Sequence, residues 1–368
     1  MDNILIGKWY KDEEGETLNI FGEHQLRIKM SFTSSGYYNF DPNCVYEKDG
    51  FVCYEINDEE YRRVYQIKYE NGFLVGFYTQ FGKQTPVKYT RLAELPEDGE
   101  FKYLPTNIYV PETDMTRLEV LRKYSEYSPE PAQNPFSYDF TLFEQAPEIL
   151  DKYNYSQYIN GYTSSDDELA FSLLRFICDH FKHDGCISTS QGPKVKDIIE
   201  SCEKHDGKIN CRGLAMFLAS LLRMNGIRAA HITCKPYEEP FNDCHVVVDC
   251  LLPSGARVML DPTYRLYIKN KHGEYVSLQK LRRMLIDGEE YFPNEDASYN
   301  GGGFDLTEHR EYMTKNTFRF SRGTSNCNGI DEFWRVELIP CDYPTDKLNE
   351  HEKAKLVYND AEFWHISI

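Results

Sequence analysis

The feature that most limits how this chain can fold is its first quarter, where short alternating runs follow one another with no helical stretch between them. Runs at 17–21, 25–31, 37–40, 51–56, 63–69, 73–78 and 87–91 alternate in the manner of strands, the period of a sheet with one buried face. Turn signals separate them, most clearly at Lys48-Asp49-Gly50 and Glu70-Asn71-Gly72. Asp-Gly and Asn-Gly supply the positive φ that tight hairpins require. Residues 1–93 therefore read as one β-meander, and so many short antiparallel strands in so little chain predict a small barrel. Tyr (28) and Phe (22) are abundant, and much of that aromatic content lies in these strand-like segments.

The entry Gly7-Lys8-Trp9 resembles the Gly-x-Trp at the first strand of lipocalin-like (calycin) barrels, with Tyr89-Thr90-Arg91-Leu92 as the closing strand. The resemblance implies a Trp plugging one barrel end. A barrel this small is expected to be filled by its own side chains. The alternatives are a small apolar ligand inside it, or a surface that docks a protein. Residues 94–112, with Pro96, Pro105 and Pro111 among charges, read as a linker. That leaves 113–368 as a second domain, as expected for a chain of 368 residues.

The second domain changes period. A short helix is expected from Asp114 or Thr116 to Tyr127, broken by Ser128-Pro129-Glu130-Pro131. Ser165-Asp166-Asp167-Glu168 reads as a capping box with Ser165 as N-cap. It opens a helix with Ala170, Leu173, Leu174, Ile177 and Phe181 on one face, ending near Gly185. Helices follow near 195–204 and 212–225, the latter stopped by Gly226. Strands are expected at 228–233, 244–252 and 256–260, then a helix at 278–286 and a strand pair at 317–321 and 333–339. Gly301-Gly302-Gly303 reads as a loop. Helices first and antiparallel strands afterwards predict an α+β class.

Net charge is -18, which argues against a nucleic-acid partner, since phosphates require gathered Lys and Arg. It argues equally against an anionic membrane surface. The N-terminus lacks the basic and apolar regions of a signal peptide, and no apolar run is long enough to span a bilayer. The 11 cysteines are odd in number and lack framework spacing. Free thiols in a reducing compartment follow, and the expected location is cytoplasmic.

One cysteine differs from the rest by position. Cys211 follows Asn210, an N-cap residue, and so stands in the first turn of a helix. A helix N-terminus offers partial positive charge and unpaired N–H groups, which lower a thiol's pKa. The backbone N–H of Cys211 would also face an oxyanion formed during acyl transfer.

An activated thiol needs a base, and the base needs an orienting group. His245 begins an apolar strand and Asp261 ends the next, with Pro253-Ser254-Gly255 between them. Pro suits a type I turn and Gly a following left-handed residue, which gives a three-residue loop. Leu252 then pairs with Ala256, and His245 and Asp261 become diagonal neighbours on one face. A two-residue loop would put them on opposite faces. Taken singly, each residue has a plainer reading: a packed core thiol, a satisfied strand histidine, a turn-starting aspartate.

Asn210-Cys211-Arg212-Gly213-Leu214-Ala215, then 221–229, His245-Val246-Val247-Val248 and Leu260-Asp261-Pro262-Thr263 together resemble the core of the transglutaminase-like superfamily, over about residues 165–268. The resemblance implies the papain-like cysteine proteinase fold, with Cys211 as nucleophile, His245 as base and Asp261 as orienter. The reaction implied is acyl transfer or hydrolysis at a peptide or glutamine amide through a thioester, on a protein or peptide substrate. Hydrolysis is favoured over crosslinking on grounds of compartment. The alternative is a degenerate binding or scaffold protein, which the retained triad disfavours. Asn210 stands where many members carry Gly or a small residue, and Val246-Val247 replaces an aromatic after the His. No acidic loop matches the calcium sites of animal transglutaminases. Asn210 and Gln191 are the candidates for a side-chain oxyanion donor. The stretch Cys178-Asp179-His180-Phe181-Lys182-His183-Asp184-Gly185-Cys186 gathers four soft ligands of the kind zinc takes, with His180 and His183 one turn apart at a helix end. Its spacing fits no common zinc module, and no metal or cofactor is expected.

Overall fold

The structure is a computed structural model that describes residues 3–11, 16–21, 27–32, 36–40, 45–58, 61–91, 110, 115–130, 146–185, 187, 194–238, 243–324, 335–346, 348, 353 and 356–365. The chain divides into two compact units, Met1–Pro105 with Asp184–Ser188, and Thr106–His183 with Thr189–Ile368. The linker expected at 94–112 lies almost wholly outside the described residues, as does Gln191. Both units carry antiparallel sheets and the second adds helices, so the protein is α+β. Among the described residues no helix is long and apolar enough to cross a membrane.

The first unit holds β1 (Gly7–Lys11), β2 (Glu16–Phe21), β3 (Arg27–Phe32), β4 (Gly36–Phe40), β5 (Val45–Lys48), β6 (Phe51–Asp58), β7 (Tyr61–Glu70), β8 (Phe73–Gln80) and β9 (Lys83–Arg91). They form one nine-stranded sheet in the order β4-β3-β2-β1-β9-β8-β7-β6-β5. The meander is therefore present, and β1 pairs with β9 to bring its two halves together. Pairing of β4 with β5, which would close a barrel, is not found among the described residues. Asn71 sits at φ 52 and Gly72 at φ 89, as an Asn-Gly hairpin demands. Trp9 is fully buried and its indole N–H donates to Leu5 O at 2.9 Å. The Arg91 guanidinium lies 5.1 Å from the Trp9 ring centroid and donates to Ile6 O at 2.6 Å. Tyr54 and Tyr65 stack at 4.9 Å within the core of this unit.

The second unit opens with α1 (Arg117–Lys123), α2 (Ser156–Ile159) and α3 (Asp167–His180). Two short strands, β10 (Lys182–His183) and β11 (Lys208–Ile209), flank α4 (Val195–Lys204), and α5 (Cys211–Met224) follows. Next come β12 (Arg228–Lys235), β13 (His245–Leu251), β14 (Arg257–Asp261), β15 (Leu266–Asn270), α6 (Leu278–Asp287), β16 (Tyr291–Pro293) and α7 (Leu306–Asn316). β17 (Arg319–Gly323), β18 (Arg335–Leu338), β19 (Leu356–Val357) and α8 (Asp360–Trp364) end it. Eight strands form a sheet in the order β16-β15-β14-β13-β12-β17-β18-β19.

That sheet is buried on both faces. Along β13, Val246, Val248 and Cys250 enter the core shared with α3, α4 and α5, while Val247 enters the core shared with α6 and α7. This explains why 244–252 reads as a continuous apolar run rather than an alternation.

Three local expectations change. The α3 helix starts at Asp167, with Asp166 rather than Ser165 as N-cap. Asp166 Oδ2 accepts from the Thr163 backbone N–H at 2.7 Å, and the Ser165 hydroxyl pairs with Thr163 Oγ1 at 2.7 Å, so the Ser165 cap is not formed. The helix ends at His180 rather than near Gly185, because Phe181 turns extended and the Lys182 N–H donates to Gly207 O at 2.8 Å. The capping box belongs instead to α1, where Thr116 and Glu119 satisfy each other's backbone N–H groups.

Candidate active site

Cys211 is the first residue of α5, and its position is held from both sides. Asn210 is extended (φ -72, ψ 172) and its Oδ1 accepts from the Gly213 N–H at 2.9 Å, which caps the helix. Gly213 leaves room for Ile209: a Cβ there would stand 2.3 Å from Ile209 Cδ1. The strand β11, the cap and the helix start thus form one close-packed turn. The Cys211 side chain is neither fully buried nor fully exposed, as a reactive thiol requires.

His245 and Asp261 come from the β13–β14 hairpin in the expected register. Leu251 pairs with Arg257 and Val248 with Leu260. Across the turn, the Leu252 N–H donates to Ala256 O at 2.8 Å and the Gly255 N–H to Leu252 O at 2.9 Å. Gly255 takes φ +87, the left-handed residue of a three-residue loop. Asp167 at the start of α3 accepts from the Ser254 N–H at 2.9 Å and pins that loop. His245 Nε2 lies 2.6 Å from Asp261 Oδ2, with both side chains buried. Asp261 Oδ1 accepts from the Thr263 N–H at 3.0 Å. Nδ1 is then the ring nitrogen left for the thiol, which is hydrogen-bonded to His245.

The electrostatics follow from this geometry. Burial alone would push the Cys211 thiol up, but hydrogen bonds and charge from His183 and His245 outweigh it and bring it from 9.0 down to about 6. Burial alone would lower His245, but the Asp261 carboxylate and the Cys211 sulfur raise it to about 10. Burial would raise Asp261, yet the His245 charge and hydrogen bond hold it below its usual range. The three shifts all favour a thiolate beside an imidazolium beside a carboxylate. The other described cysteines behave oppositely: burial pushes Cys178, Cys202 and Cys244 to about 12, and Cys234 and Cys250 well above 9.0. All eight described cysteines are free.

Several neighbours were not legible in advance. The His245 ring meets Tyr312 of α7 edge-on at 5.3 Å and Tyr264 at 5.9 Å. His183 on β10 hydrogen-bonds the Cys211 thiol, a contact for which its sequence neighbourhood gives no signal. Of the soft-ligand stretch, Cys186 lies outside the described residues, and Cys178, His180 and His183 do not converge. Cys178 donates to Pro262 O at 3.3 Å, His180 lies among Tyr153, Tyr158 and Phe176, and His183 turns to Tyr299 and the thiol. His183 is moreover on a strand, not on the helix end with His180. Among the described residues no three His, Cys, Asp or Glu side chains gather as a metal site. Asn210 has its Oδ1 committed to the helix cap.

No protein-family description and no curated protein matches the sequence. Among solved structures, the chain is similar to a candidate cysteine protease from Cytophaga hutchinsonii at 15% identity, covering 50% of this chain and 65% of that one, with a TM-score of 0.25. It is also similar to a candidate protease from Parabacteroides distasonis at 10% identity, covering 75% and 69%, with a TM-score of 0.26. The chain thus spans about two thirds of each of these two structures, with low overlap in space.

Proposed function

We propose that this chain is a thiol-dependent acyl-transfer enzyme in which Cys211 is the nucleophile, His245 the general base and acid, and Asp261 the group that orients His245. The observation that carries the reading is the 2.6 Å contact between His245 Nε2 and Asp261 Oδ2, with the opposite ring nitrogen left for a thiol at a helix N-terminus. That arrangement supplies an ionised nucleophile, a fixed tautomer and a proton for the leaving group.

The substrate is taken to be a peptide or glutamine amide in a protein or peptide. The Cys211 thiolate attacks the carbonyl carbon, a C–S bond forms, and the π pair moves to oxygen. The Cys211 backbone N–H, free of an intrahelical partner in the first turn, faces that oxygen. The His245 imidazolium gives its proton to the departing nitrogen as the C–N bond breaks, leaving a thioester. Water or an amine then attacks while neutral His245 accepts its proton, and the thiolate leaves. Hydrolysis is the favoured second half, and isopeptide products in a mass-spectrometric search would reverse that preference.

The test is alkylation with iodoacetamide at mildly acidic pH, followed by peptide mapping. Cys211 is expected to label well ahead of Cys178 and Cys244. Equal labelling would remove the basis of the reading.

A further inference from the structure

One half-buried, nucleophile-facing group takes no part in the proposed acyl transfer. His183 reaches Cys211 from a separate part of the chain, through the parallel pair β10–β11, where His183 is opposite Ile209, two residues before the cysteine. Its ring is held at the other end, with Nδ1 3.1 Å from the Tyr299 hydroxyl. Its backbone is clamped as well: the His183 N–H donates to Asn300 Oδ1 at 2.8 Å, and Asn300 Nδ2 donates back to His183 O at 2.9 Å. The turn carrying Tyr299 and Asn300 is closed by the Gly302 N–H on Tyr299 O at 2.8 Å.

These contacts fix the tautomer. A thiolate only accepts hydrogen bonds, so the imidazole nitrogen facing it must carry a proton. With Nδ1 at the phenol, that nitrogen is Nε2, and the Tyr299 hydroxyl donates to Nδ1. The two histidines at the sulfur therefore differ in kind. His245 is backed by a carboxylate and can hold a full positive charge. His183 is backed by a phenol and offers its Nε2–H to the sulfur as a hydrogen-bond donor.

We propose that His183 is the side-chain oxyanion donor of this site, its Nε2–H passing from the Cys211 sulfur to the substrate's carbonyl oxygen as the tetrahedral intermediate forms, with Tyr299 as the positioning residue that keeps that proton on Nε2. The inference rests on the acyl-transfer reading. In the attack the sulfur's charge moves to the adjacent oxygen, and a donor already aimed at the sulfur meets that oxygen without reorganising. The C–S bond forms, the carbonyl π pair becomes the oxyanion lone pair, and His183 keeps its proton throughout. The proton consumed by the leaving group comes from His245. The donor set is then the Cys211 backbone N–H together with His183, and neither Asn210 nor Gln191 is needed.

The test compares two reactions of the same thiol. Alkylation by iodoacetamide displaces iodide at a saturated carbon and forms no oxyanion, whereas acetylation by p-nitrophenyl acetate passes through one. Both rates are measured on the full chain at a pH where the thiol of each variant is fully ionised, with peptide mapping to show that Cys178 and Cys244 remain unlabelled and the fold intact. His183→Ala is expected to slow acetylation of Cys211 by about 10²–10³-fold while alkylation changes by less than about threefold. His183→Gln, which restores an N–H donor, recovers part of the loss, and Tyr299→Phe falls between wild type and His183→Ala. Equal losses in both reactions would make His183 a thiolate stabiliser only and overturn the proposal, as would unchanged acetylation. A wild-type Cys211 that neither alkylates preferentially nor acetylates would sink the acyl-transfer reading itself, and the oxyanion role with it.

Discussion

The β13–β14 hairpin and the β10–β11 pair each bring a histidine to Cys211, but the hairpin fixes its register at four paired positions and a bonded turn, while β10–β11 rests on two paired residues. The first is built from neighbours in sequence and is buried on both faces. The second joins residues far apart along the chain and depends on a loop, Tyr299 to Gly303, to hold it. A locally determined scaffold carries the groups proposed to exchange a proton. A clamp assembled from distant segments carries the group proposed only to point.

The largest expected effect falls on the hairpin side. On the proposed roles, His245→Ala removes the base, the acid and one of the two histidines that lower the thiol. Turnover of an activated ester should fall by about 10⁴-fold, and preferential alkylation of Cys211 at neutral pH should weaken. Undiminished preference would mean that the β10–β11 side alone ionises the thiol, and the division of labour would be wrong.

Deleting Ser254 leaves a two-residue Pro-Gly loop and slides β14 by one residue. Asp261 should then turn to the opposite face, with a loss approaching that of His245→Ala. Asp261→Asn keeps the register and is expected to cost less, about 10²-fold in ester turnover. If the deletion costs no more than Asp261→Asn, the register is not what places the carboxylate.

A smaller effect is expected where the two sides meet. Gly213→Ala would set a Cβ against Ile209, which pairs with His183, and should destabilise the fold by about 1–3 kcal/mol, read as a drop in melting temperature. An unchanged melting temperature would show that Ile209 can move aside without cost, and that the turn before Cys211 is less tightly built than the contact implies.

What the sequence revealed follows the same division. The α4 helix runs from Val195 to Lys204, where the sequence places it, and the meander of the first unit was readable from alternation and its Asn-Gly turn. His245 and Asp261 could be paired because one hairpin loop, with its Pro and its Gly, determines the register. The α7 helix escaped notice because its buried residues are His309, Met313, Lys315 and Asn316, a mostly polar face with no apolar stripe to detect. With it went Tyr312, which packs on His245. His183 was visible only as a member of a metal-like cluster, since nothing local signals a two-residue parallel bridge to a strand lying beyond α4. The Ser165 capping box failed because Thr163 competed for the same side chains. Barrel closure depends on the two outermost strands, whose pairing alternation alone does not specify.

The ion pair at Cys211 is the claim on which the rest depends, and its signs set a pH window. A thiol lowered to about 6 is ionised above that pH, and an imidazole raised to about 10 keeps its proton below that. Ester turnover should therefore rise through about pH 6, hold, and fall through about pH 10. The most direct measurement is the ultraviolet absorbance of thiolate as a function of pH, taken as the difference between the wild-type chain and Cys211→Ala. A Cys211-dependent step centred near pH 6 is the predicted result, and a step near the ordinary thiol value of 9.0 would contradict it.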